Sequence, residues 1–300
     1  IVMSAGSGKT QTALELIARM GFRTLWLTHT NDLLNQSYAR AKQNLDCGLG
    51  KIAAGKIQMG SHITFATVQT MSKLDLSEYK NMFDLVITDE CHRIFGTPAS
   101  AGMFYKVISS LSARYKIGLT ATPYRNVKGT ELAMFSLLGD VIVEIDKSVV
   151  KTIKADIARV NTSWQMGLGS FFPDGTVNYS GMLTEMAEDG VRLWELCKLL
   201  KENEDRNILV LSDRLELLRR LRDVMEYGVM IDGSMTSKKA KAEREQAIED
   251  MRTGKERVLY ASYSLAKEGL DIPRLDCLIL ATQKKDKATV IQSVGRIERV

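Results

Sequence analysis

The chain has little of what would place it in several large protein classes. Its 300 residues hold only four cysteines, Cys47, Cys91, Cys197 and Cys277, and no C-x-x-C pair. That spacing argues against a zinc ribbon or a disulfide framework and suits a reducing compartment. No apolar run approaches the roughly 20 residues of a membrane-spanning helix. No secretory leader pattern is seen, although the abrupt start of the chain gives this little weight. Four prolines, beside 45% hydrophobic and 26% charged residues, is the composition of a globular protein. No internal repeat or low-complexity tract is evident. A large excess of one charge is also missing, since the net charge is only +5. That balance permits a polyanionic partner without demanding one.

What is present is a repeated alternation of short apolar runs and amphipathic stretches. Arg23–His29 reads as a strand, with Asn31 placed to cap the helix that follows and Asp32 in its first turn. Ile63–Ala66 and Lys116–Thr120 read as further strands. Leu85-Val86-Ile87-Thr88 is a continuous apolar run of the kind expected when both faces of a strand are buried. The pattern restarts with expected strands at Ala155–Val160, Ile208–Ser212, Val229–Asp232, Arg257–Ala261 and Cys277–Ala281. Between them, Leu193, Leu196, Cys197 and Leu200 mark one helical face, and Leu218, Leu221 and Met225 another. The expectation is an α/β fold of two units, 1–148 and 149–300, each a mostly parallel sheet covered by helices. Their junction is expected near Asp146–Lys154. Trp164 to Gly181 is the least periodic stretch and reads as a loop or small insertion.

Ala5-Gly6-Ser7-Gly8-Lys9-Thr10 reads as a phosphate loop. Glycines let backbone N–H groups surround phosphate oxygens, and the helix that starts there adds its positive end. Lys9 would neutralise the β- and γ-phosphates of a nucleotide, and Thr10 would offer a hydroxyl to Mg²⁺. The full pattern asks for glycine where Met3 stands, so the match is partial. The plainer alternative is a glycine turn before an exposed lysine. Asp89-Glu90 closes the buried strand. One acid there would hold Mg²⁺, and its neighbour would deprotonate an attacking water. Such a pair standing alone is as often merely solvated, but Lys9 in the same chain favours the chemical role. Gln292-Ser293-Val294-Gly295-Arg296-Ile297-Glu298-Arg299 supplies two arginines suited to the same phosphates.

These segments, with Asp89-Glu90-Cys91-His92, resemble the motifs of superfamily 2 helicases of the DEAD/DEAH-box kind. Others match in order: Leu27 to Leu33, Ala66 to Thr70, Leu119 to Arg125, Val210 to Arg214, Glu268 to Pro273 and Gln292 to Arg299. Within the superfamily the chain looks most like viral and phage DNA helicases.

The resemblance implies two RecA-like domains closing on ATP at their cleft. It implies that Ala5 to Thr10 bind ATP, that Thr10 and Asp89 hold Mg²⁺, and that Glu90 is the general base. Arg296 and Arg299 would reach the γ-phosphate, with Gln292 beside them, and Gly269 and Asp271 would approach the nucleotide. His92, Thr120 and Thr122 would couple nucleotide state to nucleic-acid grip, with His92 bonding Gln292. Thr28, Asn31, Gln69 and Thr70 would contact nucleic acid in the first domain, and Ser212 and Arg214 in the second, with Thr282 a weaker candidate. DNA is the expected substrate ahead of RNA, with no membrane partner and a cytoplasmic location in a bacterium or a virus-infected cell. The chain is expected to act as a monomer or as the trimmed motor core of a larger chain or complex.

Three other readings stay open: a double-stranded DNA translocase subunit, an RNA helicase, and an ATP-gated clamp without turnover. The lysines at 238, 239, 241, 284, 285 and 287 would either extend the nucleic-acid face or be a solvated surface. Trp164, Phe171, Phe172 and Tyr179 would either stack on bases or pin their loop to its own domain.

Overall fold

A computed structural model describes the chain except for residues 4–6, 54, 96–101, 124–130, 146–154, 234–236, 268–269, 271 and 299–300. The chain divides into two compact units, Ile1–Lys151 and Thr152–Val300. The junction expected near Asp146–Lys154 lies outside the described residues. No helix among the described residues is long and apolar enough to cross a membrane.

The first unit runs β1 (Val2–Met3), α1 (Lys9–Met20), β2 (Thr24–Thr28), α2 (Asn31–Asn44), β3 (Leu49–Ala53), β4 (Lys56–Gln58), β5 (Ile63–Thr67) and α3 (Val68–Met71). It continues with β6 (Leu85–Asp89), α4 (Met103–Ser110), β7 (Tyr115–Leu119), α5 (Leu132–Leu138) and β8 (Glu144–Ile145). The main sheet has the order β4-β3-β5-β2-β6-β7, and every pairing except β3 with β4 is parallel. β1 pairs parallel with β8 and meets the end of β7, where Met3 N–H donates to the Thr120 carbonyl at 2.9 Å. Parallel strands need crossovers, and the helices provide them while burying both sheet faces. Alternate residues accordingly go to opposite layers. Leu25, Leu27, Ala66 and Val86 pack with α3 and α4, whereas Trp26, Ile63, Phe65, Leu85 and Ile87 pack with α1 and α2.

The second unit runs α6 (Tyr179–Glu188), α7 (Gly190–Glu202), β9 (Ile208–Ser212), α8 (Leu215–Met225), β10 (Val229–Ile231) and α9 (Lys238–Thr253). β11 (Val258–Ser262), α10 (Tyr263–Lys267), β12 (Cys277–Leu280) and α11 (Lys287–Val294) complete it. Its sheet, β10-β11-β9-β12, is parallel throughout. Ile208, Val210, Val258 and Tyr260 face α7 and α8, and Leu209, Leu211, Leu259 and Ala261 face α9 and α10.

Two sequence expectations change. Residues 155–160 form no strand, and Ile157 is 83% exposed. Its apolar residues have no neighbouring strand and no layer to enter. The cap of α2 is Thr30, whose hydroxyl accepts from Leu33 N–H at 3.3 Å, while Asn31 is already helical.

Leu221 is fully buried between α8 and the sheet. Leu221→Ala is expected to destabilise the second unit by about 2–5 kcal/mol through lost transfer energy and a residual cavity. Urea unfolding followed by circular dichroism measures it, and an unchanged midpoint would contradict this packing.

Candidate functional site

Parallel pairing sends the carboxyl ends of β1, β7, β6, β2 and β5 to one edge of the first unit. The segments singled out in the sequence follow those strands in that spatial order. Thr120 follows β7, Asp89 ends β6, and Thr28 and Thr67 end β2 and β5. Ligands of open parallel sheets collect beyond this edge.

Gly8 opens α1 in the left-handed region, with φ 90°. A residue with a Cβ would be strained there, which accounts for glycine at this position. This turn starts α1, so the positive end of the helix lies at this edge. Lys9 Nζ donates to the Met3 carbonyl, at the end of β1, at 3.3 Å. Ser7, Gly8, Lys9 and Thr10 therefore form one corner of the edge. Ala5 and Gly6 lie outside the described residues.

Asp89 ends β6 and is 6% exposed. Burial and the adjoining Glu90 carboxylate push it up to about 7, while Lys9 and then Arg40 pull the other way. Arg40, on α2, is a contributor that no local sequence signal announces. Glu90 has φ 52° and ψ 47°, a left-handed backbone rare for a residue with a side chain. Its N–H donates to Asp89 Oδ1 at 3.0 Å. Its carboxylate Oε2 lies 3.2 Å from His92 Nδ1. The same imidazole nitrogen is 3.0 Å from Thr120 Oγ1, and that hydroxyl accepts from Thr122 N–H at 3.0 Å. One ring nitrogen thus bridges the acid after β6 and the threonine turn after β7. Cys91, 4% exposed, is packed in the core behind this chain of contacts, and burial pushes its thiol up to about 12.

Farther along the edge, Gln69 Nε2 lies 3.3 Å from His29 Nδ1, joining the segments after β2 and β5. Burial, then Arg93 and His92, lower the His29 pKa and favour its neutral ring. Thr28 is fully buried and donates to the Thr30 carbonyl, and Thr70 pairs with Thr67 through their hydroxyls. Asn31 is exposed.

In the second unit, Ser212 Oγ accepts from Arg214 N–H at 2.9 Å and donates to the Arg214 carbonyl at 3.0 Å. The Arg214 guanidinium donates to the Ser180 carbonyl, Ser180 Oγ and Thr184 Oγ1 at 2.6–3.1 Å. Thr282 is buried and accepts from Asp213 N–H. Gln292 is 9% exposed on α11, and the Arg296 guanidinium donates to the Leu270 carbonyl at 3.0 Å. Gly269, Asp271 and Arg299 lie outside the described residues.

Residues 1–125 match the family model described as type III restriction enzyme, res subunit, and residues 192–300 match the helicase conserved C-terminal domain. A protein of Acanthamoeba polyphaga mimivirus, provisionally named ATP-dependent RNA helicase L396, is 27% identical over 100% of this chain. The chain spans 57% of that relative's length. The DNA 3'-5' translocase XPB2 of Sulfurisphaera tokodaii is 29% identical over 100% of the chain and 74% of its own length. Among solved structures, S. cerevisiae Dbp5 bound to RNA and ADP BeF3 shares the fold, with a TM-score of 0.67 at 14% identity over 99% of this chain and 75% of that one.

Thr120→Val keeps the shape of the side chain but removes the hydroxyl that serves both Thr122 N–H and His92. It is expected to cost the first unit about 1–3 kcal/mol, the penalty of leaving a polar group without its partner. Thr120→Ser is expected to retain most of that stability. Equal urea midpoints for all three proteins would contradict the bridging role.

Proposed function

The chain is built as a superfamily 2 helicase core, and from that premise we propose that it is a nucleic-acid-stimulated ATPase that moves along or unwinds nucleic acid, DNA ahead of RNA. The observation that carries the reading is the gathering of Lys9, Asp89, Glu90 and Thr120 at the carboxyl ends of neighbouring strands. A positive helix start, a fixed ammonium and two adjacent carboxylates suit a nucleotide's phosphates, its divalent cation and an attacking water.

Lys9 neutralises the phosphates, and the N–H groups from Ser7 to Thr10 cradle their oxygens. Asp89 and Thr10 would hold Mg²⁺, which supplies charge neutralisation at the phosphates when bound. The fit has a physical basis. Burial and the neighbouring carboxylate raise Asp89, so its anion gains from a nearby cation. Glu90 takes the proton of the attacking water. His92, touching both Glu90 and Thr120, relays the state of the base to the threonine turn. Arg296 and Arg299 offset negative charge on the transferred phosphate, and Gly269 and Asp271 approach the nucleotide. Thr28, Asn31, Gln69, Thr70, Ser212 and Arg214 position the polynucleotide backbone rather than read its sequence.

A duplex-DNA translocase without strand separation is the second reading, favoured by the restriction-subunit model over residues 1–125. Unwinding of a fluorescent duplex beside displacement of a third strand separates the two. An RNA substrate is the third, because one relative bears an RNA helicase name and another a DNA translocase name. ATPase stimulation by single-stranded DNA and RNA at one fixed salt concentration decides between them.

Lys9→Ala is expected to abolish stimulated turnover. Glu90→Gln is expected to slow it by about 10²–10⁴ as loss of a general base. Arg299→Ala is expected to slow it by about 10³–10⁵ as loss of an arginine finger. Steady-state phosphate release measures all three, and undiminished turnover in the set would end this reading.

A further inference from the structure

The stretch before α6 is an ordered hairpin. Phe172-Pro173-Asp174-Gly175-Thr176 makes a tight reversal, with Gly175 N–H donating to the Phe172 carbonyl at 2.9 Å and Phe172 N–H to the Thr176 carbonyl at 2.8 Å. Gly175 occupies the left-handed position at φ 80° that this turn demands. Asp174 accepts from Thr176 N–H at 2.9 Å, and Phe171 bridges Val177 across the strands. The base is clamped onto α6. Glu185 accepts from Gly167 N–H at 3.0 Å, from Gly169 N–H at 2.8 Å and from the Ser170 hydroxyl. Asn178 N–H donates to the Ser170 carbonyl at 2.8 Å.

The four aromatics of this segment have separate fates. Trp164 and Tyr179 pack with Met182, Leu183 and Met186. Phe171 and Phe172 remain 40% and 50% exposed. A backbone this constrained holds the two rings in water, where they contribute little to the unit's own core.

The hairpin is also fixed in place relative to the sheet. Tyr179, two residues past Val177, donates through its hydroxyl to the Gln283 carbonyl at 2.9 Å, just beyond β12. Lys285 Nζ sits 4.0 Å from the Tyr179 ring centroid and is exposed. The Arg214 guanidinium, just beyond β9, grips Ser180 and Thr184 on α6. The hairpin is therefore tied to the carboxyl edge of the sheet through Tyr179, against whose ring the exposed Lys285 ammonium lies.

We infer that Phe171 and Phe172 form a nucleobase-stacking site, with Lys285 contacting the adjoining phosphate of a single strand. Exposed aromatic faces beside a cation are the two elements of sequence-tolerant single-strand binding. The prior fixing of the turn reduces the ordering cost that a flexible loop would incur on binding. This inference rests on the proposed nucleic-acid function for the identity of the ligand. DNA and RNA bases offer the same ring faces, so both are tested.

The experiment measures fluorescence-anisotropy affinity without ATP for single-stranded DNA, its RNA counterpart, and an abasic DNA of equal charge. Stacking is worth about 1–3 kcal/mol per base, so F171A/F172A is expected to weaken binding of the base-bearing strands by about fivefold or more. Abasic DNA is expected to bind the wild type and this variant alike. The slope of log Kd against log salt is expected to be unchanged by F171A/F172A and to fall by about one in Lys285→Ala. Quenching of a 2-aminopurine base by the wild type is expected to be lost in F171A/F172A. Both rings are exposed, so the thermal midpoint should not move. Unchanged affinity and quenching in the double variant would overturn the inference, as would an equal loss on abasic DNA or no oligonucleotide binding by the wild type. ATPase stimulation measured in parallel separates the two ideas. A wild type that stacks 2-aminopurine without stimulated turnover loses the motor reading and keeps this one.

Discussion

Parallel pairing of strands buried on both faces governs where polar chemistry can appear in this chain. β2, β5, β6 and β9 are buried at every residue. A charged side chain within such a strand would have to surrender its hydration without a partner. Charged groups in these strands are therefore confined to strand ends, and parallel direction sends the crossover starts to one edge. In the first unit this places a helix start, two carboxylates and a threonine turn side by side without any long loop to carry them. Strand register sets their order, with Asp89 opposite Leu119 and Val2 bridging Thr120.

At that edge, electrostatics and backbone strain work together. Asp89 is buried enough for its anion to be disfavoured, and Glu90 adds a second carboxylate. The left-handed turn at Glu90, an unfavourable conformation for a residue with a Cβ, swings its side chain onto His92. An extended backbone would continue β6 and separate those groups. The strain is offset where Asp89 Oδ1 accepts from Glu90 N–H and where His92 meets Thr120. His92 thus lies against groups from two strand ends that the sheet holds adjacent.

The strands were legible where a short apolar run is bounded by turn and helix-start signals, as at Leu85 to Thr88. The departure at Met3 from the full phosphate-loop pattern also has a structural place. Met3 ends β1, and its carbonyl, which any residue would supply, receives Lys9. Thr30 and Asn31 both suit a helix cap, and only the chain's entry angle decides between them. Residues 155–160 alternate like a strand but have nothing to pair with, a tertiary fact absent from local pattern. The pull of Arg40 on Asp89 acts through space from a helix and leaves no mark at the motif. The Pro173-Asp174-Gly175 signal was present and specific. It went unread because the flanking residues alternate too briefly to announce strands.

The second unit shows how a motif residue can be committed to structure before any ligand arrives. Asp213 receives Thr282 Oγ1 at its N–H and Lys284 Nζ at 2.7 Å on its carboxylate. Tyr263 donates to the Thr282 carbonyl at 2.5 Å, and Arg192 donates to the Ala281 carbonyl at 2.8 Å. These bonds satisfy backbone groups that emerge past β9 and β12, where the ladder no longer serves them. Ser212 closes the turn to Arg214, whose guanidinium is directed onto α6. A phosphate approaching this edge would compete with four hydrogen bonds for Arg214 and with an ion pair for Lys284. Lys285 sits over the face of Tyr179, an interaction of about 0.5–1 kcal/mol at an exposed site. Contact with a polynucleotide is therefore cheapest where Lys285 and the hairpin rings lie. The buried ties around Asp213 and Arg214 hold that surface in position.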